Sequence, residues 1–507
     1  MKTKKFAWNT ISSLVFQVCA IICGFVLPRL ILQQYGSELN GLINSITEFL
    51  AFISVLELGV GAVVMSALYK PLAEQDNDTI SKIITSAGKF FKRIGLMLFV
   101  YVIVLILVYP LIAKQNYSYF YNGLLILSIS ISSFAQYYFG VVDRLLLLAD
   151  QRGYVQNNAL IITLIINTLA SIILIKYEIP IHIVKLSTSL IYLARPLALR
   201  WYVNKHYKIN RKAVYNEEPI EQKWNGIAQH ICSVVLDQTD IIVLTVMTTL
   251  SQVSIYSIYF LVLSGVKKIF LSMTFGIESL LGELWAKREL SELMETFKWI
   301  EWMLHTIVTF GFGCTASLIV PFVQVFTLHI SDVNYVQPLF GGLLVLAHAF
   351  HCYRLPYNIM IKATGMYKET QVCFIVATIL NVGISIIMVE NYGLIGVTIG
   401  TLVAMIYQTI WMAVFNSKNM IKWPFKNFAI QICLDGLIII PCFYFSSRFE
   451  MPIINALNWT VLALKVISVW FIGSLIINII FKKEMMFKLI KTCLKRLKSS
   501  NLRCTYD

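Results

Sequence analysis

The charged residues that interrupt long apolar stretches are the ones best placed to do chemistry in this chain. Lys267 and Lys268 are adjacent within one apolar stretch, and Asp237 lies in the stretch before it. Removing an ion from water is costly, so a charge in such a setting needs a partner or a polar cavity. Neighbouring helix residues point about 100° apart, and one aspartate cannot easily neutralise both lysines. The pattern predicts a net positive site that would attract an anion.

A second cluster contains residue types that bind metals. His348, His351 and Cys352 lie close together, and the spacing of the two histidines places them on one helix face. A metal site needs further ligands, and the sequence offers no matching ligand pair elsewhere. We therefore predict no metal site, and no catalytic partner for these histidines is recognisable.

These residues belong to a strongly apolar chain. Of its 507 residues, 58% are hydrophobic and only 14% are charged, whereas soluble proteins have about 45–50% apolar and about 25% charged residues. Such a composition excludes a soluble fold, and disorder would require low hydrophobicity. We infer an all-α polytopic membrane protein, because long apolar runs can satisfy their backbone polar groups in hydrocarbon only as helices.

Apolar stretches long enough to span a bilayer, which takes about 20 residues, occur fourteen times. The predicted spans are residues 8–32, 41–68, 90–113, 121–148, 154–175, 181–203, 224–248, 253–280, 299–327, 336–361, 370–389, 392–416, 425–446 and 456–480. Counted in alternate gaps from the N-terminus, with the span ends 90–93 and 425–427 included in their gaps, one set holds 30 Lys and Arg residues and the other set holds 3. This asymmetry predicts that both termini are cytoplasmic. It also explains most of the net charge of +15 without a nucleic-acid partner.

The segments between the predicted spans are short. None approaches the length of a small domain, which is about 50 residues, and no phosphate-binding GxxxxGKS/T motif occurs. We therefore expect no soluble catalytic or ATP-hydrolysing domain, and we predict that the chain is not an enzyme.

Matching features recur at a nearly constant offset and indicate an internal repeat. Trp8-Asn9 opens the first span and Trp224-Asn225 opens the seventh, 216 residues later, while Asn167 and Asn381 are 214 residues apart. Both copies begin on the cytoplasmic side, so the repeat is parallel, with a pseudo-twofold axis along the membrane normal. The predicted organisation is an N-terminal lobe at 1–203, a cytoplasmic linker at 204–223, a C-terminal lobe at 224–416, two further spans within 425–480 and a basic cytoplasmic tail at 481–507.

Several short motifs carry a resemblance to a known family. They are Tyr35-Gly36 with Leu39-Asn40-Gly41, the stretch from Glu57 to Gly61, Tyr69 to Ala73, and Asn391 to Gly396. With the fourteen predicted spans, the chain resembles the polysaccharide repeat-unit flippases (Wzx-type; O-antigen, capsule or exopolysaccharide) of the multidrug/oligosaccharidyl-lipid/polysaccharide (MOP) exporter superfamily.

The resemblance implies two six-helix lobes around a central cavity, plus two C-terminal helices. It implies a function in the bacterial plasma membrane: moving an undecaprenyl-pyrophosphate-linked oligosaccharide from the cytoplasmic to the outer leaflet by alternating access. The implied partners are this lipid-linked oligosaccharide, membrane lipids, and a polysaccharide polymerase with other assembly proteins. No cofactor is implied beyond a coupling Na⁺ or H⁺.

Specific residues fit these implied roles. Lysine and arginine both bind phosphate, so the candidates to hold pyrophosphate and sugar are Arg29, Arg144, Lys267, Lys268 and Arg354. Arg144, together with Arg195 and Arg200, also lies near a predicted cytoplasmic helix end, where a long side chain can reach the interface. The candidates for ion coupling, or for pairing with these bases, are Glu57, Asp237 and Asp240.

Three other classes of protein stay open. A lipid II flippase for peptidoglycan would have the same number of spans and a cationic cavity. A cation-coupled small-molecule or multidrug exporter of the same superfamily would have about twelve spans and an acidic cavity. An intramembrane polymerase would carry a large outer loop, and an acyltransferase would need a recognisable partner for His348 or His351.

Overall fold

The computed structural model describes residues 2–57, 59–113, 117–215, 217–218, 220, 227–421, 423–489 and 491. Within these residues the regular elements are all helical. The α-helices are α1 Lys2–Ala51, α2 Val60–Glu74, α3 Asn77–Ile112, α4 Tyr119–Ala135, α5 Val141–Ala149, α6 Gly153–Lys176, α7 Ile181–His206, α8 Ile227–Met247, α9 Leu250–Ala286, α10 Leu290–Phe326, α11 Pro338–Tyr353, α12 Leu355–Thr364, α13 Tyr367–Tyr392, α14 Leu394–Asn419, α15 Phe425–Ser446 and α16 Ala456–Phe481. A short 3₁₀ segment, Phe52–Glu57, follows α1, and a π-helical turn, Gln136–Gly140, joins α4 to α5.

The described residues contain eleven helices that are long and apolar enough to cross a membrane. The expectation of an all-α, multi-pass membrane fold is therefore confirmed. The difference from fourteen spans has physical causes. The first two predicted spans lie in one long helical stretch with a kink at Gly36. The hydropathy of α7 is lowered by Lys185, Arg195 and Arg200. The predicted span 336–361 is divided at Arg354 into α11 and α12.

The break between the first two predicted spans occurs at Gly36. Its backbone has φ of 82° inside the continuous run of α1, a left-handed conformation that glycine adopts without a Cβ clash. The next residue is held by a carboxylate, because Asp332 accepts hydrogen bonds from the Ser37 backbone N–H at 2.6 Å and from Ser37 Oγ at 2.7 Å. The junction between the predicted spans 8–32 and 41–68 is thus a sharp kink, and Asp332 anchors it.

The described residues form two compact units. The first unit comprises Met1–Leu261, His329–Asn334 and Tyr367–Gly400, and the second comprises Val262–Leu328, Tyr335–Met366 and Thr401–Asp507. These bounds differ from those of the two predicted lobes, and the lobes stay a prediction.

In the first unit, α1 packs along α6, α4 packs along α7, and α8 packs along α13. A polar clasp joins the start of α1 to the turn before α6. Asn9 Nδ2 donates to the Gln151 carbonyl at 2.8 Å, and Asn9 Oδ1 accepts from the Tyr154 backbone N–H at 2.7 Å. Asn9, a residue of the predicted repeat, therefore ties the first helix to the sixth. Its counterpart, Trp224-Asn225, lies outside the described residues.

In the second unit, α10 packs against α11, α15 and α16. A small apolar core lies between α10, α15 and α16, and the Trp470 side chain is fully buried in it. Gly313 makes room for this indole, since a Cβ built at Gly313 would lie 2.0 Å from Trp470 Cζ3. The two C-terminal helices are thus tightly packed onto α10.

Candidate functional site

Two helices of the first unit lose their regular hydrogen bonding next to each other. In the π-helical turn the Val141 N–H bonds to the Gln136 carbonyl, five residues back. On the facing helix α7, Pro196 lacks an N–H and cannot complete the helical ladder. The two irregular places touch, because a Cβ at Gly140 would lie 2.9 Å from the Pro196 Cβ. Such π-turns are frequent at functional sites.

A polar cavity opens beside this contact, and we call it the arginine cavity. Its volume is about 230 Å³. Its polar lining residues are Ser132, Ser133, Gln136, Arg144, Gln156, Tyr192 and Arg195. A pocket for a drug-sized molecule is larger, about 300–1,000 Å³, so the arginine cavity has the size of a head group. It lies toward the helix ends that the charge distribution predicts to be cytoplasmic.

The guanidinium groups of Arg195 and Arg144 have different surroundings. Arg195 Nε donates to Thr163 Oγ1 at 2.7 Å, and its Cζ lies 3.5 Å from the centroid of the Tyr192 ring. Arg144 Nε and Gln156 Oε1 are buried and have no hydrogen-bond partner among the described residues. The cavity therefore presents two arginines, one of them held by Thr163 and Tyr192, with hydroxyl and amide groups around them, which suits an anion such as phosphate.

The predicted acid Glu57 lies close to this cavity. Tyr137, on the π-helical turn, donates a hydrogen bond to Glu57 Oε1 at 2.7 Å. Tyr137 is also within electrostatic range of Arg144. Tyr137 thus interacts with two of the predicted site residues, Glu57 and Arg144.

The other two predicted acids contribute to a carboxylate cluster in the first unit. Asp240 is buried, and its Oδ2 accepts a hydrogen bond from Tyr256 Oη at 2.7 Å. Asp237, which is exposed, and Glu48 act electrostatically on the same tyrosine. Glu48 was not among the site residues predicted from the sequence. Its position as an acid inside the predicted span 41–68 was the signal that could have identified it. Arg29, on α1 of this unit, is half-buried.

The remaining predicted bases lie in the second unit. Arg354 is buried and donates from Nη2 to His351 Nδ1 at 3.0 Å. Lys267 is half-buried and within electrostatic range of His348 and His351. The side chain of Lys268 is exposed. Lys267 and Arg354 therefore share a basic cluster around His351.

A buried network in the second unit was missed by the sequence reasoning. His305 Nδ1 lies 2.7 Å from Asp435 Oδ2, and both side chains are almost fully buried. Glu301, one turn earlier on α10, accepts hydrogen bonds from Tyr357 and Trp423. The available signal was the helical spacing of Glu301 and His305 on one face of a predicted span.

Comparison with solved structures identifies the fold of this chain. No known protein family matches the sequence, and no curated protein does either. Solved structures do match. The eukaryotic MATE transporter AtDTX14 has a TM-score of 0.60 at 12% identity, over 85% of this chain and 98% of that one.

The chain has the fold of the MATE transporters. The outward-facing structure of a multidrug resistance MATE family transporter of the MOP superfamily has a TM-score of 0.57 at 15% identity, covering 82% of this chain and 96% of that one. The bent form of the Vibrio cholerae MATE transporter VcmN has a TM-score of 0.53 at 12% identity, covering 83% and 98%. At these identities the likeness concerns the fold alone.

Proposed function

We propose that the chain is a membrane transporter of the MOP type, working by alternating access, whose substrate carries a phosphate or another anionic group. The arginine cavity is the observation that carries the proposal. Two arginines in a polar cavity inside an apolar bundle are expensive to keep there unless an anion uses them. The shared fold supports transport over enzymatic chemistry.

The matched structures favour one candidate substrate class. Among them is a multidrug resistance transporter, and the comparisons support a small-molecule exporter better than a repeat-unit flippase. On this candidate the substrate is an amphipathic small molecule. The arginines would then select molecules with an anionic group and would disfavour lipophilic cations.

A second candidate is the repeat-unit flippase, and the basic residues favour it. A lipid-linked oligosaccharide carries its charge in a compact pyrophosphate, which suits a cavity of about 230 Å³ better than a whole drug does. On this candidate Arg144 and Arg195 take the pyrophosphate when it enters from the cytoplasmic leaflet. Lys267, Lys268, Arg354 and Arg29 stay predicted binding residues for the pyrophosphate and sugar.

The acids have a proposed role in either candidate. Glu57, Asp237 and Asp240 would bind the coupling Na⁺ or H⁺, or neutralise neighbouring bases. The hydrogen bond from Tyr137 to Glu57 supports a link between ion binding and the arginine cavity, because Gln136 and Gly140 of the same turn line that cavity.

One comparison of cells separates the candidates. Cells lacking the protein are analysed by mass spectrometry for undecaprenyl-linked sugars, and their susceptibility to anionic and cationic toxic compounds is measured in parallel. Accumulation of one complete repeat unit supports the flippase. Hypersensitivity to anionic amphiphiles without such accumulation supports the exporter. Hypersensitivity to lipophilic cations alone contradicts the proposed anionic substrate.

A matched pair of variants ties the result to the cavity. Arg144→Met removes a cavity charge and should reproduce the phenotype of the deletion. Arg448→Met removes an exposed arginine beyond α15 and should behave as the wild type.

A further inference from the structure

A polar stripe runs along α10 in the second unit. Glu301, His305 and Thr309 follow each other at intervals of four residues, and none of them exposes more than 4% of its surface. Residues at this spacing lie on one face of a helix. Ionisable groups inside a membrane helix are expensive and are usually retained for function. The stripe lies outside the arginine cavity, and none of its members belongs to the predicted site.

The central member of the stripe is His305. One of its ring nitrogens has a hydrogen-bond partner, and the other has none among the described residues. Asp435 Oδ2 lies 2.7 Å from His305 Nδ1, so the neutral ring carries its proton on Nδ1 and donates it to the carboxylate. The other nitrogen, Nε2, is buried and has no hydrogen-bond partner among the described residues. It therefore presents a lone pair that can accept a proton.

The surroundings are arranged to hold the resulting imidazolium. The carboxylate of Asp435 is fixed by Thr309, whose Oγ1 donates to Oδ1 at 2.9 Å. The ring of Tyr353 stacks on the imidazole with centroids 4.9 Å apart. A protonated His305 would thus face the Asp435 carboxylate on one side and the Tyr353 ring on its face.

The stripe reaches a cleft at one end of the bundle. The cleft has a volume of about 270 Å³ and is lined by Glu301, with Lys298 and Lys482 among its other lining residues. It lies where α10 begins and α16 ends, which the charge distribution predicts to be the cytoplasmic side. Burial in this cleft lowers the pKa of Lys482. Because Glu301 lines the cleft and lies one helical turn from His305, it is the carboxylate between the cleft and His305.

We propose that Glu301, His305 and Asp435 form a proton-binding site loaded from this cleft. A proton from cleft water adds to the Glu301 carboxylate and then occupies His305 Nε2, about 6 Å deeper along the helix axis. A second proton from cleft water then stays on the Glu301 carboxylate. The product is an imidazolium paired with the Asp435 carboxylate and a neutral Glu301, and the cleft water has given up two protons. That this proton drives transport rests on the proposed function, whereas proton binding itself does not.

The titratable groups that face this site come from each helix packed against it. They are Lys298 on α10 itself, Tyr353 on α11, Tyr357 on α12, Asp435 on α15 and Lys482 after α16. The two tyrosines stay neutral at physiological pH, since a phenol ionises near pH 10 or above. The groups that gain a proton in this proposal are therefore Glu301 and His305.

Infrared difference spectroscopy on the protein in lipid nanodiscs tests the site. We expect a carboxylic acid and an imidazolium signal when the pH is lowered from about 8 to about 5. Glu301→Gln should reduce the carboxylic acid signal by the share of one group. His305→Gln should likewise reduce the imidazolium signal by the share of one of the seven histidines. Glu295→Gln is the matched control, because Glu295 lines the same cleft but is exposed, and it should leave both signals unchanged.

The wild-type spectrum decides the proposal even where a variant fails to fold. Absence of both signals in the wild type overturns it, as do signals of wild-type size in folded Glu301→Gln and His305→Gln. Transport measurements separate this inference from the proposed function. Loss of the arginine cavity should abolish transport at every pH, whereas Glu301→Gln should flatten only its pH dependence. If no transport is found at all, the infrared result still stands.

Discussion

Removing one arginine from the arginine cavity should weaken the binding of an anion by a predictable amount. In Arg195→Met the side chain keeps most of its length and loses its charge. A hydrogen bond to a charged group contributes about 1.5–3 kcal/mol, and each 1.4 kcal/mol is a factor of ten. The dissociation constant for an anion should therefore rise about 10-fold to about 140-fold.

The same substitution should leave the protein folded. Within the protein, it removes the hydrogen bond from Arg195 to Thr163 and the stacking of the guanidinium on Tyr192. A hydrogen bond and an exposed cation–π contact contribute about 1 kcal/mol each, which is small beside a domain stability of about 5–15 kcal/mol. A well-folded variant that binds the anion more weakly is the expected outcome.

Inorganic pyrophosphate is the probe for this measurement. Purified wild type, Arg195→Met and Arg144→Met are titrated with it, and the rise of the thermal unfolding temperature gives the affinity. Arg448→Met serves as the matched control outside the cavity. Pyrophosphate that stabilises both cavity variants as strongly as the wild type would refute the reasoning.

Three further predictions follow from individual contacts. Gly313→Leu should lower the unfolding temperature, because its side chain would overlap Trp470 and overpacking costs about 1–3 kcal/mol; an unchanged unfolding temperature would contradict this packing. Asn9→Ala should destabilise the first unit by about 2 kcal/mol, since it removes two hydrogen bonds of about 1 kcal/mol each; limited proteolysis of the turn before α6 reports the destabilisation, and unaltered cleavage would count against it. Burial and the hydrogen bond to Asp150 raise the pKa of Tyr207. The unfolded chain therefore ionises first above about pH 10, and stability falls there as the pH rises; Tyr207→Phe should make that fall shallower, and an equal slope in both proteins would argue against it.

The sequence predicted the membrane helices well where hydropathy alone decides them. A long apolar run in hydrocarbon has one way to satisfy its backbone groups, so most spans coincide with single helices. The division at Arg354 was not predicted. It depends on local backbone geometry that leaves no clear mark on the hydropathy pattern.

The candidate site was predicted only in part. Arg144 was selected from the sequence, whereas Arg195 was attributed to snorkelling, because a π-helical turn beside it cannot be read from residue types. His305 and Asp435 are 130 residues apart, and their pairing depends on how α15 packs on α10. Spacing within one helix can be predicted from a single sequence, but contacts between helices of distant segments cannot.

The most direct test of the account is transport by the purified protein in proteoliposomes. Translocation of an undecaprenyl-pyrophosphate-linked sugar, of a small anionic amphiphile and of a lipophilic cation is measured side by side, with Arg144→Met as the control. The account predicts that at least one of the two anionic compounds moves, that Arg144→Met abolishes this movement, and that the cation is not moved. Transport of the cation alone, unaffected by Arg144→Met, would contradict the account.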